Sequence, residues 1–432
     1  MLLRVTALGF FLAILVAAPV LARRFDVNSY VKEALASSHE VREKAESLEI
    51  QKDEYVSALA GMYLPHIYYT LSDIPYSESR TAFAVKKKEM SSDLSLTYNL
   101  FNNFSDKVSL EISKINRTRA GRALWLKKQE ITLKAVKKYC EVLKAKRLMG
   151  VVKANEASYA DEYQKALQYY KEGFKSYSDL LKSDLNLKTA QLSALSSENY
   201  YRNSLMDLNY AVYADPQEEN LLAELDFDTS LRILPVEESL VTAMGRRQEI
   251  LLYEENIRIR ELEKKNKLKG YLPQLSADLA WSRSELFGLG DVTGRSDAYY
   301  LKFSLTMPLG SDLFDRNKDY MSSKIYLERE KRALSELRLS IKKEIISVSL
   351  EFFYAKKKYE VSSVKADISR NNLEIIKQKY SEGKASILDL IEAQKDDLSS
   401  QSDLAESYYD LYIKAADYGA AVGKQLWSEE KK

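Results

Sequence analysis

The stretch YSEGKASILDLIEAQ, residues 380–394, decides how this chain reads, because a second version of it, YKEGFKSYSDLLKSDL, occupies residues 170–185. The matched pairs are Tyr170/Tyr380, Glu172/Glu382, Gly173/Gly383, Ser176/Ser386, Asp179/Asp389 and Leu180/Leu390, at a constant offset (380 − 170 = 210). In each copy a helical run meets a single Gly, a short polar turn, a Ser, and then a new apolar helical run. Gly accepts positive φ without strain and is the usual residue just past a helix end. A Ser followed three residues on by an acid has the form of an N-cap with a capping box. Each copy therefore predicts the tip of an antiparallel helical hairpin.

Outward from the tips, the whole chain repeats. Tyr63-Leu64-Pro65 matches Tyr271-Leu272-Pro273 at an offset of 208 (271 − 63). Ser95-Leu96-Thr97 matches Ser304-Leu305-Thr306 at 209 (304 − 95), and Ser113-Lys114-Ile115 matches Ser323-Lys324-Ile325 at 210 (323 − 113). The predicted unit is helix, β-hairpin, very long helix, tip and return helix. The first unit is 23–213, with its hairpin at 64–101. A linker with two prolines and a short strand near 225–227 covers 214–236. The second unit is 237–427, with its hairpin at 272–308, and a polar tail follows at 428–432.

Proline punctuates these units. It is absent from 76–215 and from 309–432, which permits long uninterrupted helices. The run from about 103 to 170 predicts a rod on the order of 100 Å at 1.5 Å per residue. Helices are also expected over 27–62 and 241–269. Ile341, Ile345, Val348, Phe352, Ala355 and Tyr359 step by alternating fours and threes, as do Leu404, Tyr408, Leu411, Ala415 and Tyr418. That is coiled-coil spacing, and core packing accounts for nearly all of these residues.

Between the helices the period falls to two. Ile67, Tyr69 and Leu71 alternate with polar residues; so do Leu94, Leu96, Tyr98 and Leu100, then Leu275, Ala277, Leu279 and Trp281, then Tyr299, Leu301, Phe303 and Leu305. Loops are expected around 75–90 and 287–297. Four strands of about 8–10 residues with one apolar face have the length to cross a tilted hydrocarbon layer. Four strands cannot close a barrel, and an open edge in lipid leaves backbone groups unpaired. Lipid-facing strands would thus require several protomers sharing one barrel. The alternation alone fits equally two amphipathic hairpins on a small soluble core.

Composition narrows the function classes. The 432 residues carry 65 basic and 63 acidic side chains, a balance that makes no electrostatic case for nucleic acid. Residues 1–22 have the basic start, apolar run and small-residue end of a cleaved secretory signal. No apolar run of helix-spanning length follows. The two histidines, His39 and His66, lie far apart, and the one cysteine, Cys140, sits within a helical run. No spacing for metal ligands, a phosphate loop or a nucleophile elbow occurs, so no enzyme, metal or cofactor is expected.

The secretory signal, the duplicated layout, the Tyr-Leu-Pro junctions and the Tyr-x-x-Gly-x-x-Ser-x-x-Asp-Leu tips together resemble a TolC-type outer-membrane efflux protein (outer membrane factor), over essentially the whole mature chain. The resemblance implies a mainly α chain with transmembrane β: long antiparallel coiled-coil helices, and four strands per protomer in a trimeric 12-stranded barrel. It implies a homotrimer in outer-membrane lipid with a long periplasmic extension. It further implies docking through the tips (Gly173, Ser176, Asp179, Gly383, Ser386) to a periplasmic adaptor, or membrane fusion, protein and an inner-membrane pump. The implied role is passive export of small molecules or proteins, as the exit duct of a tripartite efflux or type I secretion system. The lipid face would hold Ile67, Tyr69, Leu71, Leu94, Leu96, Tyr98, Leu275, Leu279, Trp281, Leu301, Phe303 and Leu305. The periplasmic gate would fall on Tyr380, Asp389 and Glu392. The alternative reading leaves Glu392 solvated and Asp389 capping the return helix. The family's basic partner within the turn is missing at Ala385, although Lys384 is adjacent, and Lys182 stands in the first copy where Glu392 stands in the second. A soluble periplasmic coiled-coil adaptor or structural protein is the rival, but one helical hairpin, not two in tandem, would be expected of an adaptor.

Overall fold

The computed structural model describes residues 24–80, 84–218, 220–288 and 291–427. The expected signal segment and the polar tail lie outside them. The elements run β1 (Arg24–Phe25), α1 (Val27–Ser37), α2 (His39–Tyr63), β2 (His66–Arg80), β3 (Ala84–Phe101), α3 (Ser105–Lys171), α4 (Tyr177–Ala211), β4 (Leu221–Leu222), α5 (Val236–Arg246), α6 (Gln248–Lys269), β5 (Gln274–Gly288), β6 (Asp291–Thr306), α7 (Ser311–Ser381) and α8 (Ile387–Ala421). Two helices, two strands, a long helix and a return helix thus occur in the same order twice.

The long helices have the predicted reach. α3 holds 67 residues and α7 holds 71, about 100 Å each. α4 packs on α3, α3 on α8, and α8 on α7, so the four lower helices form one layer with α4 and α7 at its edges. Toward the sheet, α2 lies on α3, α3 on α6 and α6 on α7. The predicted coiled-coil positions are buried: Ile341 and Ile345 of α7 pack in a cluster with Ala243 of α5, Ile250 of α6 and Ala421 of α8, and Phe352 of α7 packs with Leu411 of α8.

The sequence expectation differs from the structure at several places. The predicted helix over 27–62 is interrupted at Ser38, whose extended backbone (φ −63°, ψ 118°) ends α1 while its hydroxyl accepts from Val41 N to start α2. Arg247 takes nearly the same backbone (φ −66°, ψ 123°) between α5 and α6 and binds Glu249 and Glu344. Apolar periodicity survives both breaks, which hid them. The linker strand is Leu221–Leu222, not 225–227, and it pairs in parallel with Arg24–Phe25. The Tyr139 hydroxyl fixes that junction: it lies 2.9 Å from Phe25 O and 2.7 Å from Ala223 O and donates between them. Around it Tyr30, Val136, Leu143, Leu208 and Leu222 form the largest buried apolar cluster. Cys140 sits in this cluster, and burial pushes its thiol up to about 12.

The strands are also longer than predicted. They join in one antiparallel sheet, β2-β3-β5-β6, with 15, 18, 15 and 16 residues. β2 runs through the expected loop near Pro75. Proline offers no N–H, but β2 is an edge strand, and its register shifts between Ile74 and Ser77 to pass the proline. Of the loop expected around 287–297, residues 289–290 lie outside the described residues, as do 81–83 of the loop expected around 75–90, and the described residues on either side are strand. Leu100 is a further correction: β3 bulges between Asn99 and Phe101, so Phe101 stands opposite Leu275 and Leu100 leaves the alternation.

Candidate functional site

Both tips turn on a glycine and restart on a serine cap as their sequences require, but the capping box expected in each copy closes only at the second; at the first, Asp179 Oδ2 accepts from Ser176 Oγ and not from the Ser176 backbone N–H. After α3, Gly173 takes φ 81°, its N–H donates to Tyr170 O at 3.0 Å, and Phe174 N donates to Tyr169 O at 2.9 Å. After α7, Gly383 takes φ 75°, donates to Tyr380 O at 3.1 Å, and Lys384 N donates to Lys379 O at 2.8 Å. A Cβ at either glycine would meet open space, so the left-handed backbone, and not crowding, calls for glycine. Ser176 and Ser386 then cap α4 and α8, accepting from Asp179 N and Asp389 N at 3.2 Å.

The two caps differ. At the second tip Asp389 closes a capping box: its Oδ2 accepts from Ser386 N and from Ser386 Oγ, both at 2.8 Å. The backbone bond first, then the hydroxyl, holds its carboxyl below the usual carboxylate range. Asp389 therefore does cap the return helix, while its side chain stays exposed on the same helix face as exposed Glu392. Capping does not remove its charge.

Tyr380 is partly buried against Leu373, Ile376, Leu390 and Ala393. Burial above all, with Glu162 and Asp179 adding to it, pushes its hydroxyl up to about 12. Lys384 turns away and pairs with Glu382 at 2.7 Å. The cation on Tyr380 comes from the other tip: Lys175 Nζ stands 4.6 Å from the ring centroid. The sequence reading missed Lys175, yet the repeat register holds the signal. Lys175 stands where the second copy has Ala385 (385 − 175 = 210).

At the opposite end, strand register sorts the sheet into two faces. Ile67 pairs with Leu96, Tyr69 with Leu94, Leu96 with Leu279, Leu94 with Trp281, Leu279 with Leu301 and Leu275 with Leu305. Opposed residues share a face, so these form one continuous apolar surface across all four strands. Tyr98, Ala277 and Phe303 belong to it by the same register, and the edge-strand members are exposed. Beyond Trp281 and Tyr299 this face changes character. Arg283, Glu285, Arg295 and Asp297 follow in register and bind one another at 3.3–3.9 Å. The reverse face carries Thr97, Asp278, Lys302, Ser304 and His66, with Thr97 Oγ1 donating to Asp278 Oδ1 at 2.8 Å.

Among the described residues, no cluster of His, Cys, Asp and Glu could hold a metal ion, and no helix is long and apolar enough to cross a membrane.

Residues 30–212 match the family model described as outer membrane efflux protein. No curated protein matches the chain by sequence. Among solved structures, CusC superposes with a TM-score of 0.79 at 13% identity, covering 92% of this chain and 92% of CusC. The Campylobacter jejuni CmeC outer membrane channel gives 0.78 at 16%, covering 93% of this chain and 87% of CmeC. The open state of the Neisseria gonorrhoeae MtrE outer membrane channel gives 0.77 at 14%, covering 94% and 91%. By sequence over its first repeat this chain matches the outer membrane efflux protein family model, and over nearly its whole length it shares the fold of these outer-membrane channels.

Proposed function

We propose that this chain is one protomer of a homotrimeric outer-membrane exit duct. Its sheet would join a shared barrel of 3 × 4 = 12 strands in outer-membrane lipid, and its helices would form a tunnel reaching the periplasm. The observation that carries this reading is the sheet itself. It has one continuous apolar face and one polar face, an aromatic pair (Trp281, Tyr299) where the apolar face ends, and charged residues beyond. Lipid demands that order: apolar band, aromatic girdle, then charge. The apolar face of a four-stranded sheet with edges at β2 and β6 is stable in lipid only if both edges find partners.

The edges of the helical layer support closure by further copies of the chain. On α7 the exposed residues Leu350, Tyr354, Val361, Val364, Ile368 and Ile375 follow heptad spacing. On α4 the exposed residues Leu181, Leu185, Leu192 and Leu195 do the same. Their heights agree. Leu192 stands as far from Gly173 as Val364 from Gly383 (192 − 173 = 383 − 364 = 19), and likewise Leu195 and Val361 (195 − 173 = 383 − 361 = 22). α4 of one copy against α7 of the next, repeated, closes a ring.

In this reading substrates pass down the tunnel without chemistry. The tips meet a periplasmic adaptor and an inner-membrane pump, and Tyr380, Asp389 and Glu392 form the periplasmic gate. Three copies would bring six tip carboxylates, from Asp389 and Glu392, around one axis, which favours cations. The two halves of the chain act as duplicated units joined by the linker at 214–236. Membrane fractionation tests the assignment. The protein is expected in the outer membrane as a complex of three chains; recovery as a soluble periplasmic monomer would refute it.

A further inference from the structure

One buried pair near the tips is left half satisfied. Glu162 of α3 is 6% exposed and Gln394 of α8 is 2% exposed. Gln394 Nε2 donates to Glu162 Oε2 at 2.9 Å. Glu162 Oε1 and Gln394 Oε1 are buried and have no hydrogen-bond partner. Both orphans are acceptors, so neither can serve the other while Glu162 is ionised. One proton on Glu162 Oε1 supplies the donor that both lack: the acid then donates one hydrogen bond to Gln394 Oε1 and still accepts one from Gln394 Nε2, where the carboxylate can only accept.

The pair joins the two hairpins. Glu162 lies 173 − 162 = 11 residues from the first tip glycine, and Gln394 lies 394 − 383 = 11 from the second. A cavity of about 470 Å³ lined by Leu373, Lys377, Gln394 and Asp397 borders the Gln394 side of the pair. The charged neighbours do not stabilise a buried carboxylate strongly. On α3 itself are Asp161, Lys165 and the phenol of Tyr159; α7 brings Lys377 and the phenol of Tyr380; α4 has Asp184 at the same height. Desolvation exceeds the help from Gln394, Lys377 and Lys165, so the Glu162 carboxyl sits above its usual range.

We infer that Glu162 and Gln394 form a proton-operated latch: protonation of Glu162 ties the first hairpin to the second and holds the tips together, and loss of that proton releases them. The sign follows from linkage. The folded-state pKa is raised, so the latch is complete below the ordinary carboxyl pKa and is lost as pH rises through the raised value. An acidified periplasm would close the entrance and a neutral one would free it.

The inference rests on the channel reading, and two readouts keep the two apart. In planar bilayers, wild-type open probability is expected to fall as tip-side pH drops from neutral into the carboxyl range. The change is about tenfold for each unit by which closing shifts the Glu162 pKa. Glu162→Gln keeps a donor and is expected to stay closed at every pH, while Glu162→Ala is expected to stay open at every pH. The same pH profile in wild type and Glu162→Gln would overturn the latch with the channel intact. If no conductance forms, the channel reading fails. The latch is then read from hydrogen exchange of α3 and α8 in the purified full chain, comparing wild type with Glu162→Gln at matched pH. Protection is expected to agree at low pH and to fall in wild type alone toward neutrality; parallel profiles would overturn it.

Discussion

Lys175 of the first tip lies over the ring of Tyr380 of the second, 4.6 Å from its centroid. This is a contact between hairpins 205 residues apart in sequence (380 − 175), and it ties the end of the molecule that the proposed function treats as the entrance. A partly exposed cation–π contact contributes about 0.5–1 kcal/mol, and 1 kcal/mol is roughly a fivefold shift in an equilibrium. Lys175→Ala is therefore expected to raise open probability a few-fold in bilayer recordings. Tyr380→Phe keeps the ring and is expected to behave as wild type. An equal effect of the two substitutions would assign the link to the hydroxyl instead.

Asp389 and Glu392 share an exposed face just inside the second tip. Asp389→Asn with Glu392→Gln is expected to reduce cation preference in single-channel recordings. Unchanged ion selectivity would remove both from the conduction path. Because the Asp389 carboxyl is held below the usual range by Ser386, its capping contribution is present at neutral pH and is lost as pH falls through the lowered value. Fraying at the start of α8, followed by hydrogen exchange, is expected only under clearly acidic conditions.

The tip glycines make a sharper structural prediction. Gly383 has φ 75° and nothing crowding its Cβ position, so Gly383→Ala brings backbone strain and no clash. The cost is about 1–2 kcal/mol, felt locally at the turn. Gly61 lies in α2 without such a backbone, and Gly61→Ala is expected to be neutral or slightly stabilising. Similar destabilisation by both in thermal unfolding would contradict the conformational account.

On the sheet, Phe303→Arg or Leu305→Arg is expected to impair outer-membrane assembly, at a cost of about 2–4 kcal/mol where the site faces mid-bilayer lipid. Ser304→Arg, on the reverse face, is expected to assemble. Equal tolerance of the three would argue against a lipid-facing side.

The tips, the long helices and the two faces of the sheet are legible in sequence because each rests on local chemistry. A lone Gly followed by a Ser and an acid marks a tip; absence of proline permits a long helix; period two assigns faces. What stays hidden depends on tertiary partners or single-residue geometry. Ser38 and Arg247 leave the helical region for one residue without disturbing apolar spacing. Pro75 signals a loop to a local reading, but at a sheet edge its missing N–H costs little, and β2 runs past it. A local reading looks for the cation over Tyr380 in its own turn, whereas folding supplies it from Lys175. Glu162 and Gln394 look like ordinary solvated positions until the hairpins pack and bury them together.

The central claim is that α4 of one copy meets α7 of the next, at heights matched from the two tips. Leu192→Cys with Val364→Cys tests it most directly. The native Cys140 is fully buried with a raised thiol and does not compete. Within one protomer α4 packs on α3 and α7 on α8, so α3 and α8 stand between them. Mild oxidation of membranes carrying the double variant is expected to give a covalent trimer on denaturing gels, with each single variant remaining monomeric. A double variant that stays monomeric while its thiols oxidise elsewhere or remain free would contradict the closed ring.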